Sequence, residues 1–309
     1  MPSSLSSRAS PAHQGRVFGS PWAGVYATHI ESARHFGRHW HAVYGVGLIE
    51  HGAQSSASGR GHVDAYAGDV IMCNPGEVHD GRPLGGPSRR WRMLYFEPAV
   101  IASMVADSPH SPDTLQDIEL TYPVTQDVRL RTALQRLLDR LQQWDAGAGR
   151  SGADALACEE SLVHACALLL HRHAALPVTQ SQASSPTSPS YSLLELHRAR
   201  DHLAADLLAP PTLTELAHAA GLSKFQLLRR FEKAFGLTPH AWLLQQRAER
   251  ARSLIRSGAG LAQTAAACGF ADQSHMTRLF ARQFGFTPGA WQQAMGKSSY
   301  PSAGRIPLQ

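Results

Sequence analysis

The sequence predicts a multidomain α+β protein, with an N-terminal β-barrel carrying a helical hairpin, followed by an all-α domain of two tandem helix-turn-helix units. Three observations predict this. Short β-type runs, punctuated by Gly and Pro, fill roughly the first third. After Val128 the apolar residues recur at spacings of three and four. In the last third one pattern occurs twice.

The β-type runs are Val43–Ile49, Gly61–Tyr66, Val70–Cys73 and Trp91–Phe96, separated by Gly52, Gly59, Gly68, Pro75-Gly76 and Gly85-Gly86. Short strands with regular turn signals argue for a sandwich or barrel. Leu130, Leu134, Leu137, Leu141 and Trp144 then share one helical face. Gly147–Gly152 breaks that helix, and a second, Ala153–His173, carries Leu156, Val163, Cys166 and Leu170. This hairpin is expected to pack on its own barrel and to pair with a second copy, giving a homodimer. Ala174–Ser190 is uncharged and rich in Ser, Pro and Gln, the composition of a flexible linker. The expected units are therefore residues 20–173, a linker over 174–190, and residues 191–296. Met1–Ser20 is polar with no apolar core, which reads as a disordered leader and not a secretory signal. The tail Lys297–Gln309 is expected to fray.

Composition bounds the function. The 309 residues suffice for two domains, and 43% hydrophobic with 17% charged residues excludes wholesale disorder. The longest apolar stretch, near Leu162–Leu170, is far short of the ~20 residues of a membrane span. Cys73, Cys158, Cys166 and Cys268 form no C-x-x-C pair, so they read as small buried hydrophobes in a reducing compartment, and a cytoplasmic protein is expected. Charge is unevenly divided. From Tyr191 onward there are 14 Lys and Arg against 7 Asp and Glu, whereas the preceding part holds 15 against 17. Basic charge confined to one domain is what a polyanion binder needs.

The repeat pairs Leu213–Trp242 with Leu261–Trp291; Phe235-Gly236, Thr238-Pro239 and Trp242 match Phe284-Gly285, Thr287-Pro288 and Trp291. In the first copy Thr212 and Glu215 form a capping-box pattern, Leu213, Leu216, Ala217 and Ala220 give a buried face, and Gly221 makes the turn. Ser223 caps a second helix, Lys224–Phe235, with Leu227, Phe231 and Phe235 inward. In the second copy Ala265, Ala266 and Ala267 keep the first helix slim, Gly269 turns, and Asp272–Phe284 presents Gln273, Ser274, His275, Thr277, Arg278 and Arg282. Such a second helix enters the major groove, where Gln, Ser, Thr and Arg suit base edges and phosphates. Pro239–Ser257 reads as one long helix that sets the spacing of the two readers.

These residues, above all Cys268-Gly269-Phe270 through Phe284-Gly285-Phe286-Thr287-Pro288, resemble the DNA-binding domain of the AraC/XylS family of transcription regulators over about 100 residues. The resemblance implies a sequence-specific regulator of double-stranded DNA, with RNA polymerase a candidate partner if it is an activator; the sequence leaves activator and repressor both open. It implies base-facing residues Phe225, Leu228 and Arg229 in the first reader, beside the exposed Lys224. In the second they are Gln273, Ser274, Thr277 and Arg278. Leu228 is apolar where some relatives carry a polar reader, which suits a thymine methyl.

His39-Trp40-His41, with Asn74 through His79, resembles the cupin-type barrel that many family members carry for effector binding. Enzymatic cupins add a glutamate about four residues beyond the second histidine. Here Gly45 and Val46 stand there, so no metal, cofactor or catalytic residue is assigned. In a strand His39 and His41 face one side, toward the barrel interior. The effector-pocket candidates are His39, His41, Tyr44, Glu77, His79, Trp91, Arg92 and Tyr95, with Asp80 nearby. An arginine beside carboxylates would suit a zwitterionic effector such as an amino acid. Two rival readings are a metal-dependent cupin enzyme with a DNA-binding tail, which the missing glutamate argues against, and a constitutive DNA binder without effector.

Overall fold

A computed structural model describes residues 13–106, 118–147, 152–175 and 191–296. The first part contains β1 (His13–Phe18), β2 (Val25–Ser32), β3 (Phe36–His39), β4 (Tyr44–His51), β5 (Ala53–Ser58), β6 (Gly61–Tyr66), β7 (Val70–Cys73), β8 (His79–Pro83) and β9 (Arg89–Phe96). Then come α1 (Pro98–Ala106), β10 (Glu119–Leu120), β11 (Val124–Thr125), α2 (Val128–Asp145), α3 (Gly152–His173) and β12 (Ala174–Ala175). The rest is helical, with α4 (Tyr191–Ala205), α5 (Leu213–Ala219), α6 (Lys224–Phe235), α7 (Pro239–Arg256), α8 (Leu261–Ala267), α9 (Gln273–Phe284) and α10 (Pro288–Gly296).

Two antiparallel sheets, ordered β1-β2-β9-β4-β7-β11 and β3-β8-β5-β6, form the barrel. Strand alternation divides β9 between two environments. Leu94 and Phe96 join Tyr44, Val46 and Leu48 of β4 under the α2–α3 hairpin, in one core with Leu130, Leu134, Leu137, Leu141 and Trp144. Trp91, Met93 and Tyr95 face the barrel interior and belong to a second core. On β4 two of the inward positions, 45 and 47, are glycine. A Cβ at Gly45 would lie 2.6 Å from Cys73 Sγ and 3.1 Å from Met93 Cε, and one at Gly47 would strike the Arg92 backbone and the Met93 side chain. Only glycine lets β9 and β7 side chains fill that space.

Several sequence expectations need correction. Residues 13–18, expected in the leader, form a strand paired with β2 throughout, so the barrel includes His13 and residues before the expected boundary at 20. β2 is buried on nearly its whole length and shows no alternation, and β5 (AQSSAS) is weak in β-formers, so neither announces itself in sequence. On α3 the buried face is Cys158, Ser161, Leu162, Ala165, Cys166, Leu169 and His173, while Leu156 is 57% exposed and Val163 and Leu170 only partly buried. Small residues on the true face let α3 approach the leucine-rich face of α2, and a reading by side-chain size mistakes its phase. Ala174 and Ala175, expected in the linker, pair as β12 with β10. The remainder of that linker, the C-terminal tail and most of the glycine break lie outside the described residues. All four cysteines are free and buried. No helix among the described residues is long and apolar enough to cross a membrane.

The helical part follows its repeat. Thr212 and Glu215 make a reciprocal capping box at α5, and Ser223 and Gln226 make another at α6. Asp272 caps α9 through the His275 N–H, at 2.6 Å. Gly221 and Gly269 turn at φ +62° and +74°, the left-handed region that favours glycine. The first unit has its own core, in which α4 supplies Leu196, Ala199 and Leu203 against Leu216, Leu227, Phe231 and Trp242. The second unit shares its core with the barrel: Met276, Phe280, Phe284, Phe286 and Trp291 pack with Tyr26, Ile30, Trp91 and Tyr95.

Candidate functional site

The reader helices present the residues that the repeat singles out. On α6 the structure places Lys224, Phe225, Leu228 and Arg229 at the surface, with Phe225 73% and Leu228 36% exposed. A large apolar ring left so open on a two-capped, well-packed helix is available to a partner. On α9 Gln273, Ser274 and Arg278 are exposed and Thr277 is partly buried. Among the described residues no ion pair engages Lys224, Arg229 or Arg278. These cations are thus free of internal neutralisation, as phosphate or guanine contact requires. Gln226 is spent on its cap, accepting from the Ser223 N–H at 3.0 Å.

The second site is a cavity of about 110 Å³ inside the barrel. Of the eight pocket candidates, His39, His41, Glu77, His79, Trp91 and Tyr95 line it. Tyr44 and Arg92 do not, because they point to the opposite face of the sheet. The Tyr44 hydroxyl donates to the Ile118 carbonyl at 2.6 Å, and Arg92 pairs with Glu50 and Asp139, both at 2.5 Å. The guanidinium in the cavity wall is that of Arg89, three residues earlier and on the Trp91 face. It donates to Gln54 Oε1 at 2.8 Å and to the Arg34 carbonyl at 2.9 Å, and lies 4.7 Å from the Trp91 ring centre. Burial lowers it to about 10, so it stays cationic at neutral pH. The carboxylate of Glu77 is held by Arg60 at 2.8 and 2.7 Å. Arg92 thus lies elsewhere and Glu77 is paired with Arg60, while Asp80, the other carboxylate of the zwitterion expectation, lines the cavity together with Arg89.

The three histidines cluster in the cavity wall. Ring centres lie 4.9 Å apart for His39 and His41, 4.6 Å for His39 and His79, and 5.3 Å for His41 and His79. Burial, with His79 beside it, drives His39 down to about 3, against a hydrogen bond to Gly37 that works the other way. Burial, then His39, His79 and Arg252, holds His41 well below its ordinary value, and burial also lowers His79 against its bond to Glu77. All three are neutral imidazoles at neutral pH.

The cavity wall also includes Gln283 and Phe284 from the end of the second reader helix, α9, with the Phe284 ring 6.1 Å from that of His41. Around this contact α7 is bonded to the barrel. Gln245 Nε2 donates to the Trp40 carbonyl at 2.8 Å, the Ala42 N–H donates to Glu249 at 3.3 Å, and Arg252 donates to the Tyr26 hydroxyl at 3.2 Å. His13 Nε2 donates to the Gly285 carbonyl at 2.9 Å.

A family model described as an AraC-like ligand binding domain matches residues 23–165, and one described as a helix-turn-helix domain matches residues 216–294. The chain belongs to the AraC family of transcription regulators. As an AraC-family protein it is a sequence-specific DNA-binding regulator with a ligand-binding N-terminal domain. It is similar to the HTH-type transcriptional regulator YbfI of Bacillus subtilis (strain 168), 28% identical over 257 residues, covering 80% of this chain and 86% of the relative. It is also similar to the HTH-type transcriptional activator RhaS of Klebsiella pneumoniae (strain 342), 30% identical over 198 residues, 63% of this chain and 66% of the relative. Among solved structures it is similar to fatty-acid-bound ToxT of Vibrio cholerae strain SCE256, with a TM-score of 0.46 and 12% identity over 91% and 94% of the two chains.

Two kinds of pocket residue escape a linear reading of this AraC-family chain. Arg89 and Met93 are legible in principle, since strand alternation from Trp91 and Tyr95 puts them on the same face. Gln283 and Phe284 carry no local signal, because they reach the cavity from the other domain.

Proposed function

We propose that this regulator responds to a small molecule in the barrel cavity by repositioning its second reader helix, and that it has no enzymatic activity. The observation that carries the proposal is Phe284, which is at once the last residue of α9 and part of the cavity wall. A ligand with different affinity for the docked and undocked arrangements of α9 shifts the balance between them. DNA contact is assigned to Lys224, Phe225, Leu228 and Arg229 in one major-groove segment and to Gln273, Ser274, Thr277 and Arg278 in the next, about 34 Å along. Activation through RNA polymerase is proposed from the similarity to RhaS, and a cytoplasmic location goes with contact to DNA. The homodimer is proposed on the exposed Leu156 of α3; a single-chain mass in sedimentation equilibrium would remove it.

The test is a titration onto the DNA upstream of the protein's own gene, with a scrambled duplex as control, at two salt concentrations. A preference of ~10³-fold or more for the native fragment is expected. Arg278→Ala should weaken that specific binding by about 1–3 kcal/mol. Equal loss on both duplexes would instead reassign Arg278 to phosphate contact.

A further inference from the structure

We infer that His39, His41 and His79 bind one divalent late-transition-metal ion, and that this ion is the effector, or the anchor of the effector, that α9 senses. The inference rests on the proposed ligand-responsive role for its regulatory half alone; the metal site stands on its own geometry. His39 Nδ1 lies 2.7 Å from the Gly37 carbonyl and His79 Nδ1 lies 2.9 Å from the Glu77 carbonyl. A carbonyl only accepts, so each Nδ1 carries the proton and each Nε2 offers a lone pair. A backbone acceptor behind the distal nitrogen is the arrangement that orients metal-ligating histidines. One ring nitrogen from each of the three histidines lies within 4.8 Å of the other two. A tetrahedral ion with bonds of about 2.0–2.1 Å spaces its donors by about 3.4 Å, so the rings need to close by up to about 1.4 Å.

The donor chemistry selects the ion. Three neutral imidazoles without a carboxylate suit Zn²⁺, Ni²⁺, Co²⁺ or Cu²⁺ and not Mg²⁺ or Ca²⁺. The position where a fourth, carboxylate ligand would enter from β4 is Gly45, and its Cβ space is taken by Cys73 and Met93. Glu77, an acid in the cavity wall, is committed to Arg60, and Asp80 accepts from the Ala57 N–H. Three ligands leave the ion with open coordination positions in the cavity, which also holds the Arg89 guanidinium, so a small anion is the natural co-ligand. The site differs from a closed structural one in that its lid, Phe284, belongs to the DNA-binding domain.

The experiment uses the full chain, stripped with a chelator and dialysed against Zn²⁺, Co²⁺ or Ni²⁺. Metal content is counted by mass spectrometry, and the Co²⁺ form is read by its visible spectrum. One equivalent per chain is expected, with ligand-field bands of nitrogen and oxygen donors and no thiolate charge-transfer band. His41→Ala and His79→Gln should each weaken binding by about 10-fold or more. Cys73→Ser should leave it unchanged. His79→Gln keeps size and hydrogen-bonding capacity, and circular dichroism verifies that each variant is folded. Substoichiometric binding by folded wild-type protein, or unchanged binding in the His41→Ala/His79→Gln double variant, would overturn the site. DNA affinity is then measured with and without metal. A metal-dependent change that disappears in His79→Gln supports the effector role. Stoichiometric binding with no change in DNA affinity would sink that role and leave the metal site intact.

Discussion

At the scale of single residues, the decisive side chain between the domains is Arg252. It is 7% exposed, donates to Glu249 at 2.9 Å and to Tyr26 at 3.2 Å, and lies near the rings of Tyr26, Phe284 and Trp291. Burial raises the Tyr26 hydroxyl to about 12, so it is a neutral phenol accepting from the guanidinium. Removing one member of a buried pair leaves the other charge uncompensated. Arg252→Ala is therefore expected to cost about 3–5 kcal/mol in urea unfolding. Adding Glu249→Gln should restore part of that, because no bare carboxylate remains; a double variant as unstable as the sum of the singles would refute the coupling. Neither residue is marked in the sequence. A charged pair three apart on a helix ordinarily reads as solvated surface, and only the barrel on top of it makes it a buried one.

At the scale of elements, the hairpin is fastened at Asp127. Its carboxylate caps α2 by accepting from Arg129 and Leu130 and meets His173 of α3 at 2.9 Å and Arg172 at 2.8 Å. Burial works to raise Asp127, but the bonds from His173 and the cap, with Arg172, outweigh it, and its carboxyl sits below the ordinary value of 3.8. A group whose folded value is depressed stabilises fully above its unfolded value and loses that contribution as pH falls through the folded one. Asp127→Ala is expected to cost about 1–2 kcal/mol near neutral pH. The gap in melting temperature to wild type should close as the pH drops below about 3.8, the unfolded value. A gap that persists unchanged in acid would show that the carboxylate charge is not what fastens the hairpin. The same element shows how legibility depends on context. The α2 face was plain from its leucines, whereas the α3 face was not, because its buried positions hold Cys, Ser and Ala.

At the scale of the whole molecule, the two ends of the chain share a core. Phe284 closes the cavity from outside the barrel, so under the proposed function ligand occupancy and the position of α9 are one packing problem. Phe284→Leu keeps apolar bulk while shortening the contact to His41. Its DNA affinity without ligand should stay within a few-fold of wild type, and the difference between ligand-loaded and free protein should shrink. Full retention of that difference would show that the signal leaves the cavity by another route.

The sequence by itself determined the helix-turn-helix repeat, its caps and turns, and which residues of the second helices face outward, because these depend on spacing within a few turns of one helix. It also determined that His39, His41 and His79 are present in a barrel of short strands. Tertiary structure decided which face of β4 and β9 meets the cavity, removing Tyr44 and Arg92 from its wall and placing Arg89 there beside Trp91 and Tyr95. A one-residue choice of strand face moves every side chain across the sheet, and composition does not reveal it when both faces are buried. It alone decided, too, that α9 borders the ligand cavity. Residues 41 and 284 meet through packing of two separately coded units, and no local pattern in either encodes the other.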